Sequence, residues 1–141
     1  MANGLFAAYR TGRLSGAGPD LSATTIKAMF VDHADDTPVL ASDDFINDIL
    51  SAARVPAIGT CPSLGTKTLG TVAAGVFDAA DTTFTTLSGD QSESLILFYD
   101  STVESTSTLL AFWDAGVTGL PLTPNGADVQ VQWNASGIFS F

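Results

Sequence analysis

The chain has one cysteine, one histidine and five basic residues in 141 positions, and each scarcity closes off a chemistry. Cys61 has no second cysteine to pair with, so no intrachain disulfide, CxxC pair or cysteine-based metal site can be assembled. His33 is the single side chain whose ordinary state titrates near neutrality, so a histidine-dependent triad or acid and base pair has little to draw on. Lys27, Lys67, Arg10, Arg13 and Arg54 stand against fifteen acidic residues, which gives a formal charge of −10. That balance repels phosphate backbones and anionic lipid surfaces, and it predicts no nucleic acid and no membrane among the partners. No run approaches the roughly 20 apolar residues of a membrane span. Met1 to Leu14 lacks the basic start and apolar centre of an export signal, so Asn134-Ala135-Ser136 reads as an accidental match to the glycosylation triplet. Gly16-Ala17-Gly18-Pro19 lacks the third glycine and the preceding strand of a dinucleotide fingerprint, and no Gly-x-Ser-x-Gly elbow occurs. The expectation is a chain with no catalytic residues, no cofactor and no metal.

What the chain does have is apolar mass. Hydrophobic residues make up 45% and charged residues 14%, which predicts folding rather than disorder. The length suits a single domain over residues 1–141, large enough to bury roughly 70% of the surface of the unfolded chain. Thr25 to Asp32 has strand composition with Ile26, Ala28 and Phe30 on one face. Leu95-Ile96-Leu97-Phe98-Tyr99 is apolar on both alternating sets and predicts a central strand covered on both faces. Thr71 to Phe77, Thr82 to Leu87 and Thr106 to Trp113 are further strand-length segments, and Val55 to Gly70, with Pro56 and Pro62, reads as irregular or edge structure. Pro124-Asn125-Gly126 marks a turn, after which Val129, Val131 and Trp133 alternate with Gln130 and Gln132 as in a half-buried strand. Ser42, the first-turn acids Asp43 and Asp44, and Phe45, Ile46, Ile49 and Leu50 at helical spacing predict an amphipathic helix over about Asp43 to Ala53, with Arg54 at its negative end. Residues 1–24 read as an N-terminal arm, or as a short helix carrying Leu5, Phe6 and Tyr9 followed by a loop. The fold class is therefore mainly β: an antiparallel β-sandwich or barrel-like domain with one short α-helix and an N-terminal arm.

Few residues remain as candidates for chemistry. His33, flanked by Asp32, Asp35 and Asp36 in a loop, reads as an exposed, solvated histidine. Asp35, Asp36, Asp43 and Asp44 bring carboxylates toward one loop, as a hard cation requires, but the spacing matches no EF-hand and two of them have a helix-start role. Asp78, Asp81, Asp90 and Asp100 read as turn acids, and Cys61 as a small buried hydrophobe. Trp113 and Trp133 have faces on which a sugar could stack, yet both fall in strand patterns, which favours core packing. The aromatic ends suggest protein contact, with Leu5, Phe6, Tyr9, Arg10, Arg13, Phe139 and Phe141 as the contact residues.

Three stretches carry a resemblance. They are Thr25 to Asp32 running on to Asp43-Asp44-Phe45-Ile46-Asn47-Asp48-Ile49; Ala80-Asp81-Thr82-Thr83-Phe84-Thr85-Thr86-Leu87-Ser88-Gly89-Asp90; and Gly119-Leu120-Pro121-Leu122-Thr123-Pro124-Asn125-Gly126 running on to Trp133. Together they resemble a family of small virion structural proteins of tailed bacteriophages, over most of the chain from about Thr25 onward. The resemblance implies a non-catalytic part of a phage particle. The expectation it supports is a capsid decoration, or cement, protein made in the host cytoplasm and bound to the outer capsid surface. Its partners would be the major capsid protein and copies of itself, as a homotrimer. The alternative is a tail, baseplate or fibre-associated structural or host-binding protein. The loop from Leu14 to Ala23 and a C-terminal tail without a basic residue depart from the family's pattern. On the arm reading, deleting Ala2 to Leu14 should weaken particle binding more than folding.

Overall fold

Ile26, Ala28 and Phe30 occupy one side of the first long strand and Met29 and Val31 the other, and all five are buried. A strand that is apolar on both sides has to lie between two layers. The computed structural model, which describes residues 3–141, places it there. Numbered in chain order, β2 (Ile26–Val31) pairs along its whole length with β7 (Ser94–Tyr99), from Ile26 opposite Tyr99 to Val31 opposite Ser94. β8 (Leu109–Trp113) flanks β7, and the two-residue strands β1 (Gly4–Leu5) and β3 (Arg54–Val55) form the edges of a five-stranded antiparallel sheet ordered β1-β8-β7-β2-β3. The register between β7 and β8 shifts at Leu97 and Phe98, where Phe98 faces Leu109. The extra residue turns both Leu110 and Ala111 toward the same layer, as a bulge does.

One layer covers the face formed by Ile26, Ala28, Phe30, Leu95 and Leu97. It is built from two small sheets: β4 (Thr68–Leu69), β5 (Val76–Asp78) and β10 (Phe139–Ser140) in the order β10-β5-β4, and β6 (Thr82–Phe84) with β9 (Val129–Val131). Phe77, Phe84 and Leu87 bring the buried side chains of this layer. The opposite face, with Met29, Val31, Ile96, Phe98 and Phe112, is covered by Phe6, Ile46, Ile49, Ala53 and Cys61. The domain is thus mainly β and sandwich-like with one short α-helix, and among the described residues no sheet closes into a barrel.

The helix is not where the spacing of Phe45, Ile46, Ile49 and Leu50 predicts it. It is α1 (Ala7–Leu14), and the segment about Asp43 to Ala53 forms two 3-10 turns, Ile46–Asp48 and Ser51–Ala53. The reason is competition from carboxylates for the backbone N–H groups. Asp48 Oδ2 accepts from the N–H of Asp44 and of Phe45, Asp43 Oδ2 accepts from Val39, and Asp36 Oδ2 accepts from Leu50. Aspartates that bond locally favour turns over a helical ladder. The three-residue repeat of the turns still points Ile46 and Ile49 into the core, but it leaves Leu50 58% exposed.

Arg54 closes this layer. Its guanidinium donates from Nε and Nη2 to the Ile49 carbonyl at 2.9 and 2.7 Å, from Nη2 to the Ile46 carbonyl at 3.0 Å, and pairs through Nη1 with Glu104 Oε2 at 3.0 Å. Its sequence role as a cation at the end of this segment is realised, on turn carbonyls rather than helix carbonyls.

Within the N-terminal stretch, Gly4–Leu5 is held on the sheet edge. β1 pairs with β8, Gly4 opposite Phe112 and Leu5 opposite Ala111, and the N–H of Phe6 continues the pairing to the Leu110 carbonyl at 3.0 Å. α1 (Ala7–Leu14) follows directly.

Two buried acids set a pH limit. Burial raises the Cys61 thiol from 9.0 to about 12, only partly offset by Lys27 and Arg54, and raises the Tyr9 hydroxyl from 10.0 to about 12, partly offset by Arg13. Both groups hold their protons more tightly folded than unfolded. Their stabilisation is therefore complete below pH 9 and is lost as pH rises from 9 toward 12. The unfolding free energy from urea titrations is expected to stay level up to about pH 9 and to fall above it, by an amount on the order of 4 kcal/mol at about pH 11.

Candidate functional site

Two surfaces stand out once the frame is in place. The first is where the chain's aromatic ends meet. Tyr9 on α1 stands 6.3 Å from the Phe139 ring and 5.6 Å from the Phe141 ring, both edge to face, and Phe139 lies 5.1 Å from Phe77. β10 is held by pairing with β5, Phe139 opposite Phe77 and Ser140 opposite Val76, and the Phe141 N–H donates to the Gly75 carbonyl at 3.1 Å. The approach to β5 depends on Gly137. Its φ of +103° suits glycine, and a Cβ there would stand 2.1 Å from Val76 Cγ1.

The seven expected contact residues divide on this frame. Phe6 and Tyr9 are enclosed, Phe6 in the layer against Phe112 and Tyr9 against Phe139 and Phe141, so they act as core side chains and do not present a surface. This corrects the expectation that they are contact residues. The physical reason is that β1 anchors this segment onto the sheet edge. Leu5 and Phe139 are half-buried against the core, while Arg10, Arg13 and Phe141 remain exposed, Phe141 at 61%. Leu14 at the end of α1, 91% exposed, belongs with them and was not singled out from the sequence.

Charge marks the same spot. Lys27 pairs with Asp100 at 2.7 Å, Arg54 is buried with Glu104, and Lys67 donates to the Thr24 carbonyl. Burial works to raise the Asp100 carboxyl, but the hydrogen bond and charge of Lys27 outweigh it and hold the carboxyl below its ordinary value. Arg10 and Arg13 make no ion pair with a described residue, and Arg13 gives one hydrogen bond to the Pro19 carbonyl at 3.2 Å. They are the cations this acidic surface leaves available among the described residues.

The second surface is an open groove of about 700 Å³ between β9 and the loop that follows β8. Trp113 and Trp133, both half-buried, meet in it with ring centroids 5.9 Å apart and planes at 51°. The backbone N–H of Trp133 is held by Asp81 and its indole N–H by Thr82 Oγ1 at 3.1 Å. Asn3 fixes the far wall, its Oδ1 accepting from the N–H of Asp114 and of Ala115 and its Nδ2 donating to the Ala115 carbonyl.

The acidic loop organises backbone. Asp36, Asp43 and Asp48 are occupied as described above, and burial, followed by the nearby charges of Asp48 and Asp36, works to raise Asp43 above its ordinary value. The carboxylates that do converge are Asp32, Asp35 and Asp90, within 4.8 Å of one another, and not the expected set of Asp35, Asp36, Asp43 and Asp44. Asp32 Oδ1 already accepts from the Ala34 N–H, and calcium takes six to eight oxygens, so this grouping is no more than an acidic cluster. His33 is half-buried rather than solvated: its Nε2 lies 2.9 Å from Ser94 Oγ and its ring stacks at 6.3 Å on Phe112. No protein-family model matches the chain, and no curated protein does.

Proposed function

We propose that this chain is a non-catalytic structural protein of a bacteriophage particle, a decoration protein that cements the outer surface of the assembled head as a homotrimer. The resemblance of its three sequence stretches supplies the particle. The observation that carries the contact role is the surface formed by Arg10, Arg13, Leu14 and Phe141. Two cations that make no ion pair with a described residue and two exposed apolar side chains stand on a frame held by β1 on one side and β10 on the other. A surface of this kind fits an acidic, partly apolar partner and gains from rigidity, because little order has to be imposed on binding. The major capsid protein and neighbouring copies of this chain are the partners in this reading.

Quantifying the protein against the major capsid protein in purified particles tests it. A cement role requires near-stoichiometric amounts, and a copy number on the order of a dozen overturns it. Reversing both charges (Arg10→Glu with Arg13→Glu) and adding Leu14→Ser is expected to weaken head binding by about 10–100-fold, with the unfolding midpoint nearly unchanged because these side chains are exposed. Binding that survives the triple change removes this surface as the anchor.

A further inference from the structure

The tryptophan groove plays no part in the contact role above, and we propose that it binds a neutral glycan. The first argument is its charge. The chain carries fifteen acidic and five basic residues, yet none of the side chains lining the groove is charged. An anionic ligand finds no cation there and a cationic one no carboxylate, while the volume of about 700 Å³ lies within the range of small-ligand sites.

The second argument is what the lining offers. Trp133 has its indole N–H committed to Thr82, so the ring offers its face rather than a donor. Trp113 lies against it at 51°. Indole faces take up the C–H face of a sugar ring, an apolar surface with a polar rim. That rim of hydroxyls both donates and accepts, and it needs partners that do the same. Thr118, exposed in the loop that lines the groove, supplies a hydroxyl that makes no hydrogen bond with a described residue, while Gln130 and Gln132 stand on the outer side of β9. Asn3 and Asn134, by contrast, are tied to the backbone of residues 114–115 and of Ser136 and serve as wall. Gly116 and Gly119 leave open space above the loop, where a bulkier side chain would stand in the way of a ring.

The third argument concerns the rival occupant, an extended peptide added to the open edge of β9. That strand is three residues long and gives an added strand almost nothing to pair along. A sugar needs no such ladder.

Both tryptophans of the chain line this groove, so intrinsic tryptophan fluorescence reports on it alone. The folded protein is titrated with cellohexaose, maltohexaose, mannohexaose, chitohexaose and, as an anionic comparison, hexagalacturonate. At least one neutral hexaose is expected to give a saturable change at a concentration on the order of 1 mM, with hexagalacturonate at least about tenfold weaker. Thr118→Val, at an exposed position of the lining, should weaken binding about fivefold or more while leaving thermal unfolding in place. Trp133→Phe, which keeps a ring but not the indole, should weaken it as well. The proposal is overturned by the absence of saturation with every neutral sugar up to about 10 mM. It is equally overturned if hexagalacturonate binds as tightly as the neutral sugars, or if the signal depends on protein concentration, as self-association in the groove would produce.

Discussion

Arg54→Met is expected to destabilise the fold by about 3–5 kcal/mol, read as a drop in the urea midpoint with an unchanged slope. The size of the effect follows from what the side chain holds. The Arg54 side chain is 5% exposed and gives three hydrogen bonds to the carbonyls of Ile46 and Ile49. These carbonyls belong to the turn segment that covers one face of the central sheet. Methionine fills part of the volume but donates nothing: the Ile49 carbonyl is left without a donor, at a cost of about 1–3 kcal/mol, and the Ile46 carbonyl keeps only the N–H of Ile49. Arg54→Lys should recover only part of the loss, because an ammonium lacks the planar fork that reaches both carbonyls and Glu104 at once. Glu104→Gln separates the contributions. The Glu104 side chain is 47% exposed, so losing its charge should cost no more than about 1 kcal/mol. A loss with Glu104→Gln as large as with Arg54→Met would place the stabilisation in the ion pair and not in the carbonyls.

Phe6→Ala should cost a similar amount, about 3–5 kcal/mol, through the cavity it leaves. Phe6 is fully buried, stands 6.4 Å edge to face from Phe112, and sits where β1 ends and α1 begins. The same geometry reverses the expected result of deleting residues 2–14. Such a deletion removes an edge strand, Phe6 and Tyr9 together, and it should abolish cooperative unfolding rather than spare it. Leu14→Ser, by contrast, alters a side chain that is 91% exposed and should shift stability by less than about 0.5 kcal/mol. The pair of variants separates what the N-terminal segment does for the fold from what it offers to a partner.

The parts of this fold that were legible in the sequence are those decided by local alternation. Leu95 to Tyr99, apolar on both sets, is the central strand with a layer on each side. Val129, Val131 and Trp133 are half-buried with Gln130 and Gln132 outside, and Gly126 takes a φ of +84° in the turn before them. What was not legible depends on partners far away in sequence. Nothing local to Phe6 says that it ends an edge strand whose neighbour is β8. Nothing local to His33 says that Ser94 and Phe112 will enclose it. The 3-10 turns escape local reading for a different reason: Ile46 and Ile49 suit both a helix and a three-residue repeat, and of the aspartates that decide between them only Asp43 reads as a helix-start residue, while Asp48 and Asp36 take the N–H groups of Asp44, Phe45 and Leu50. For the candidate site, alternation placed Trp133 inward correctly. It did not show that β9 is an open edge, which turns a core pattern into the wall of a groove.

The pairing of β1 with β8 also constrains how the chain emerges from the ribosome. The first strand waits for Ala111 and Phe112 before it has a partner, and β2 waits for residues 94–99. Until then β2 has, among the described residues, only the two-residue β3 and the bridge of Lys27 to Ser63 to pair with. The N-terminal apolar side chains therefore spend most of synthesis without their native cover, and closure of the central sheet is a late, long-range event of the kind that folds slowly and favours protection by chaperones.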